Sequence, residues 1–509
     1  MTFVITQSCC NDTSCVAACP VQCIRPRPGD PGFTTTEQLY IDPATCIDCG
    51  ACAAECPVDA IVHETDLPAR LEEFRGINAD YFAEHPLGDT SPPLLVRRRL
   101  PREQPRLTVA VVGSGPAALY AAAELSEIRG VEVTVVERLS EPYGLVRFGV
   151  APDHGRTRLM TERFAPVLRR PNVTCLFGVE AGRDVSVEDL LRHHHAVIWA
   201  TGAFADRALE VPGEDLEGSV SARDFVAWYN GHPDFTDRRF DLSGRRAVVI
   251  GNGNVALDIA RLLTQPATVY EHTPISPHAL RALRASAVEE VVVVARRGPA
   301  QAAYGTAELL ALAHLPEVDL LALPGETSTA GPGPDSADGS SLDLRRRLDA
   351  VRKAAARTPT RSRRITLRYS LAPAELTGDT AVTGVLLKRS DGTTEKIDTG
   401  LVVRAIGFRG LPAAGLPFDP VTGTVPDRAG RVVDPSTQTP LPGLYCTGWI
   451  RRGPSGTIGT NRTDAAETVA SLLDDCAQGR LPTPAAPSAV LAAHFGKTSR
   501  GTVAGRPSQ

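Results

Sequence analysis

No apolar run in this 509-residue chain approaches eighteen residues, which excludes an ordinary membrane-spanning helix. No charged segment followed by an apolar one opens it, so a secretory leader is not expected. Cysteine is scarce after residue 56. Cys175, Cys446 and Cys476 stand alone, so a disulfide framework of the secreted type is excluded. The absence of any C-x2-C or C-x4-C pair in that stretch removes dithiol exchange as chemistry of the main body. A formal net charge of −5 points to neither nucleic acid nor an anionic membrane as partner. No tandem repeat of solenoid type appears. These absences leave a chain long enough for two to four domains, expected in a reducing compartment, most simply the cytoplasm.

What is present is concentrated at the front. Nine of the twelve cysteines precede residue 57. Cys46, Cys49, Cys52 and Cys56-Pro57 form a C-x2-C-x2-C-x3-C-P run, in which three thiolates hold one iron–sulfur cube and the fourth reaches a second cluster. Cys9, Asp12, Cys15 and Cys19-Pro20 repeat the spacing, with Asp in place of the second Cys. Residues 1–66 therefore read as a small α+β two-cluster ferredoxin domain of bacterial type. Cys46, Cys49, Cys52 and Cys19 are expected on one 4Fe–4S cluster; Cys9, Cys15 and Cys56 are expected on the other, with Asp12 facing its fourth corner. Carboxylate is a harder, more exchangeable ligand than thiolate, so this second cluster is expected to be 3Fe–4S or a labile Asp-ligated 4Fe–4S. Cys10 is a rival ligand at the wrong spacing, and Cys23 resembles the extra, non-ligating Cys of seven-iron ferredoxins. This head carries nine acids against two arginines, a net −7, while the remainder nets +2. Such a division suits electrostatic docking of head on body, or simple solvation of a small domain.

Residues 67–105 have a linker composition around Ser91-Pro92-Pro93 and Arg97-Arg98-Arg99. Beyond them two βαβ units echo each other. The apolar strand 107–112 runs into Gly113-Ser-Gly115-Pro-Ala-Ala118, a helix is expected over 116–129, and a strand over 131–136 ends at Glu137. Gly113 permits the tight turn and Gly115 lets a pyrophosphate approach the helix N-terminus, while Glu137 can accept from ribose hydroxyls. The second unit has a strand at 246–250, then Gly251-Asn-Gly253-Asn-Val-Ala256 and a helix over 254–264. Its next strand, 291–294, ends in Arg296-Arg297 rather than an acid, and two guanidiniums suit the 2′-phosphate of NADP(H). Two dinucleotide sites beside iron–sulfur clusters imply a flavin between them, because hydride carries two electrons and a cluster accepts one. FAD is assigned to the first site, since Glu137 tolerates no 2′-phosphate beside it.

Four separated segments resemble the adrenodoxin-reductase type of NADPH–ferredoxin reductase: Tyr143–His154, Gly253–Ala256, Arg296–Pro299 and Tyr445–Ile458. The likeness covers about residues 107–475, and it extends to actinobacterial fusions that place a ferredoxin in front of such a reductase. It implies an α/β flavoprotein of two dinucleotide-binding domains, an FAD domain (106–205 and 411–482) with an NADP domain (206–410) inserted; by composition, rich in Pro, Ala, Ser and Gly, residues 483–509 are expected to be a flexible tail. It also implies FAD contacts at Ala117, Glu137, Leu145, Val179, Trp449, Gly456, Thr457 and Ile458. NADP contacts are implied at Arg207, Asn254, Val255, Ala256, Leu257, Arg296, Arg297, Glu308 and Gly456. A helix over about 457–473 is expected to point its N-terminus at the flavin. No catalytic acid or base is required for hydride transfer, although His154 or Trp449 could act near the flavin. His193-His194-His195 is expected to be a solvated helix end.

The activity implied is that of a ferredoxin–NADP(+) reductase, hydride passing from NADPH to FAD and single electrons to the fused clusters. The acceptor beyond them would be a ferredoxin, a cytochrome P450 or another redox protein. The alternative reading is the electron-input subunit of a larger iron–sulfur flavoenzyme, as in glutamate-synthase or dihydropyrimidine-dehydrogenase modules.

Overall fold

The computed structural model describes residues 2–88, 98–327 and 342–495. Two sheets dominate it. In the first, Leu107–Val112 lies between Val131–Glu137 and Ala196–Trp199, all parallel, with Val173–Phe177 beyond. The other flank comes from far along the chain: Pro440–Cys446 pairs parallel with Ala196–Trp199, and Arg431–Val433 and Asp427–Arg428 follow. Unbroken runs such as Val109–Val112 and Val133–Val136 are buried on both faces, as a parallel strand between two helical layers requires.

The second sheet runs Ser219–Ser221, Leu401–Arg404, Arg246–Ile250, Glu290–Val294, Arg363–Arg368, Val318–Ala322, with every neighbouring pair parallel. An antiparallel sheet of Ala372–Thr377, Gly384–Lys388 and Thr394–Asp398 packs near it. The chain passes between the two large sheets twice, and the passes lie side by side: Ala205–Asp206 pairs antiparallel with Phe408–Arg409. The turn glycines sit against these crossings. Gly113 (φ +105°) and Gly251 (φ +118°) would place a Cβ 2.5 Å from the Ala200 oxygen and 2.1 Å from the Ala405 oxygen. Only glycine fits both the left-handed backbone and that approach.

At the front, Phe3–Ile5 pairs with Ile61–His63 and Ile24–Arg25 with Tyr40–Ile41, and two short helices, Ser14–Ala18 and Ala51–Ala54, complete the cysteine-rich head. The stretch expected to be linker contributes a further helix, Glu73–Glu84. Phe74, Ile77 and Phe82 form its apolar stripe and pack with Val4 and Tyr40. Asn78 is buried and bridges both head sheets, accepting from the amides of Ile5 and Ile41 and donating to the Ile5 carbonyl. The Ser91–Arg97 segment lies outside the described residues.

Three other expectations are corrected. The tail folds as far as 495: helix Ser488–Phe495 buries Leu491, and Ala486 donates to the Arg192 carbonyl. His194 is not solvated. Its side chain is buried between the Leu190 carbonyl and the Thr134 hydroxyl, at 2.9 Å from each, because the chain must enter the strand Ala196–Trp199 from inside the fold. The first βα helix is also shorter than expected, Pro116–Ser126.

Candidate functional site: two cysteine-lined cavities beside two nucleotide cradles

Two cavities open in the head, and the cysteines divide between them. Cys9, Cys15, Cys56, Asp12 and Cys10 line the first; Cys19, Cys46, Cys49, Cys52 and Cys23 line the second. The two loops adopt the same shape at matching positions. Asn11 (φ 58°) and Thr13 (φ 67°) are left-handed before the helix Ser14–Ala18, as Asp48 (φ 58°) and Gly50 (φ 72°) are before Ala51–Ala54. Backbone amides point at sulfur: Ala60 N–H lies 3.2 Å from Cys56 Sγ and Cys23 N–H 3.4 Å from Cys19 Sγ. Burial pushes the Cys9 thiol up to about 11 and Cys52 to about 12. Positive iron would favour the thiolates of such buried cysteines and release their protons. The donor set and room fit iron–sulfur clusters.

Asp12 departs from the expected pose. It is buried on the first cavity, yet both carboxylate oxygens have other partners. One accepts from Tyr120 Oη; the other accepts from Ser14 Oγ and lies 3.4 Å from Arg462 Nη1. Burial, then the Asp12 charge, drives the Tyr120 phenol far above its usual value, so it remains a donor. Tyr120 and Arg462 belong to the helices Pro116–Ser126 and Thr460–Ala477 of the main body. Nothing in the sequence marked either residue, since the pairing spans 108 positions in one case and 450 in the other.

The first nucleotide cradle lies over Gly113–Ala117. A Cβ on Gly115 would meet nothing within 4 Å, which leaves the approach to this helix N-terminus open for a pyrophosphate. Glu137 Oε2 accepts from Ser114 N and Oγ (2.9 and 2.6 Å) and Oε1 from Leu139 N, fixing the carboxylate at the strand end. Leu145 opens the helix Leu145–Phe148, Val179 is buried below, and Gly448 approaches Ala117 so closely that a Cβ would lie 2.6 Å away. Trp449 starts the helix Trp449–Arg452, with Nε1 donating to the Ser455 carbonyl at 3.0 Å.

The helix after Gly456–Ile458 begins later than expected, at Thr460, and runs to Ala477. Its first donors are aimed at the head. Thr457 Oγ1 and Gly459 N–H both donate to the Cys10 carbonyl, at 2.9 and 2.7 Å. The Gly459 amide is thus committed to the head.

The second cradle repeats the first. Gly253 is open in the same way, Asn254–Leu257 form the first turn of the helix Asn254–Thr264, and Asn254 Oδ1 accepts from Gly305 N at 2.7 Å. Arg296 and Arg297 are exposed just past the strand Glu290–Val294, and neither guanidinium is paired among the described residues. Arg207 lies at the crossing, its Nε 3.4 Å from the Phe408 carbonyl. Glu308 joins a network that sequence reasoning did not find. Arg261, buried, donates to Asp153 (2.8 Å) and Asp258 (2.7 Å), with His154 Nε2 also 2.7 Å away and Glu308 at 3.7 Å. His154 thus ties the first domain to the helix of the second, and the arginine supplies the cation for the surrounding carboxylates.

Comparison with known proteins agrees with this geometry. The family described as pyridine nucleotide-disulphide oxidoreductase matches residues 107–301, and the 4Fe-4S dicluster domain matches residues 8–60. A probable ferredoxin/ferredoxin–NADP reductase of Mycobacterium leprae is 46% identical over 511 residues, covering 97% of this chain and 89% of that protein. NADPH-ferredoxin reductase FprA of Mycobacterium tuberculosis is 42% identical over 72% of this chain and 83% of its own length. The solved structure of FprA in complex with NADPH superposes with a TM-score of 0.71 at 39% identity, over 78% of this chain and 90% of that one.

Proposed function

The chain belongs to the ferredoxin/ferredoxin–NADP reductase family, and on that premise we propose how its residues divide the work of moving electrons from NADPH to a ferredoxin-like head. It is an oxidoreductase of FAD, NADP(H) and iron–sulfur centres. When bound, FAD accepts hydride and returns the two electrons singly. FAD is held by the parts around 106–205 and 411–482 and NADP(H) by 206–410. Gly113 and Gly115 admit the FAD pyrophosphate, Glu137 binds the ribose, and Ala117, Leu145, Val179, Trp449 and Gly456–Ile458 bound the remainder. On the other side Gly251, Gly253 and Asn254–Leu257 receive the NADP pyrophosphate, with Arg296 and Arg297 on the 2′-phosphate and Arg207 and Glu308 at its margins. Cys19, Cys46, Cys49 and Cys52 hold a 4Fe–4S cluster. Cys9, Cys15 and Cys56 hold a 3Fe–4S cluster, because hydrogen bonds already engage both oxygens of Asp12. The final acceptor is a one-electron protein such as a free ferredoxin or a cytochrome P450, in the cytoplasm; among the described residues no helix is long and apolar enough to cross a membrane.

One observation carries this reading: two cysteine-lined cavities and two glycine cradles occur in one fold, the head docked against the loop 456–459. The test is nucleotide preference. Replacing Arg296 and Arg297 together by Ala removes charge-assisted bonds of about 1.5–3 kcal/mol each. The KM for NADPH should rise at least about a hundredfold, with that for NADH little changed. An unchanged NADPH preference would place the 2′-phosphate elsewhere.

A further inference from the structure

We infer that the two cavities act in series and in one order. The Cys9/Cys15/Cys56 site takes electrons from the flavin side, and the Cys19/Cys46/Cys49/Cys52 site passes them to the external acceptor at the surface around Cys49. The inference rests on the electron path proposed above and adds its direction through the head.

The two cavities differ in what they touch. The first is sealed onto the main body. The Cys10 carbonyl on its wall accepts from Thr457, in the segment proposed to border the flavin, and from Gly459, just beyond that segment. A Cβ on Gly459 would sit 2.1 Å from the Asn11 carbonyl carbon and oxygen, so the two backbones meet with no room for a side chain or a water between them. Cys10, Val58 and Ala60 are buried in one apolar core with the helix Pro116–Ser126, and Ile458 packs against that core. Asp12 closes the edge through Tyr120 and Arg462. Electron transfer falls steeply with distance and favours bonded, dry paths, and this is the dry path.

The second cavity faces outward. Among the described residues none of those lining it hydrogen-bonds the main body. Cys49 is exposed, with Ile47 58% exposed beside it, Pro43 and Ala44 exposed nearby, and Asp48 and Glu55 as a rim. An apolar patch with an acidic border, on a head of net −7, fits a one-electron carrier protein with basic residues around its redox centre. The balance is simple. NADPH gives up hydride, two electrons with one proton. The electrons cross the inner site and then the outer one singly and reduce two acceptor molecules; NADP+ and one proton are released.

Two variants of the reconstituted holoprotein test the order by stopped-flow absorbance and freeze-quench EPR after mixing with NADPH. Gly459 has ordinary helical angles (φ −69°, ψ −26°), so Gly459→Ala leaves its own backbone unstrained and wedges a methyl against Asn11. Flavin bleaching should keep its rate, while reduction of both cluster signals slows about tenfold to a hundredfold. In Cys15→Ala, NADPH should no longer reduce the Cys46-side cluster within the turnover time, although dithionite still does. Reduction of that cluster at the unmodified rate in either variant would overturn the order. Loss of flavin bleaching by NADPH in the unmodified protein would instead refute the reading on which the order rests.

Discussion

Single residues carry chemistry that their neighbours in sequence do not announce. Asp12 occupies a ligand position in the spacing, yet Tyr120 and Arg462 claim its oxygens. Asp12→Cys should therefore convert the first site to four thiolates, and a 3Fe–4S signal in EPR of the isolated protein should give way to two 4Fe–4S clusters. His194 is a second case. Burial lowers it to about 4, against about 6.5 when unfolded, so the unfolded chain binds the extra proton first. The stability it contributes is full above about pH 6.5 and is lost as pH falls toward 4, by at most about 3 kcal/mol. Urea midpoints compared with those of His194→Gln should show a steeper decline for the unmodified protein across that window. Equal slopes would mean that His194 titrates normally.

Among the elements, the helix Glu73–Glu84 shows how a segment of linker composition becomes structural. Its apolar stripe is short, but Asn78 supplies hydrogen bonds to the edges of two small sheets that could not be stable alone. Asn78→Ala leaves buried amides and a carbonyl unpaired, at about 1–3 kcal/mol for each group. Amide exchange in Phe3–Ile5 and Tyr40–Ile41 should accelerate at least about tenfold, with the strand Leu107–Val112 unaffected. The matched turn glycines of the two cradles could be read from spacing. Which carbonyl each abuts could not, since Ala200 and Ala405 come from the crossings.

For the whole molecule, the head is docked on the body and does not merely trail from it. Besides the Asp12 contacts, its acids meet an arginine row on the helix Leu342–Ala356: Glu37 with Arg347, Asp80 with Arg346 and Glu84 with Arg345. Of these acids only Glu37 lies within residues 1–66, and each exposed pair is worth only about 0–1 kcal/mol. The apolar contact with the helix Pro116–Ser126 is less sensitive to salt. A chain starting at residue 106 should keep NADPH-driven reduction of ferricyanide, a small acceptor able to reach the flavin. It should lose most cytochrome c reduction, because the built-in clusters are then absent. Adding the severed head at micromolar concentration should restore little, since attachment gives an effective concentration of about millimolar. Full cytochrome c reduction by the shortened chain would show that the head is not the route.

Sequence by itself determined the local chemistry: which cysteines share a spacing, where glycine must turn the chain before a helix, and which strand ends carry Glu137 or Arg296 and Arg297. Those are short-range patterns, fixed by the geometry of one loop or one βαβ unit. Tertiary structure alone decided what lies across a gap between distant segments. It gave Asp12 to Tyr120 and Arg462, Arg261 to Asp153 and His154, and the Cys10 carbonyl to the loop at 457–459. Such pairings depend on how sheets and head pack together, and no periodicity within either partner records them.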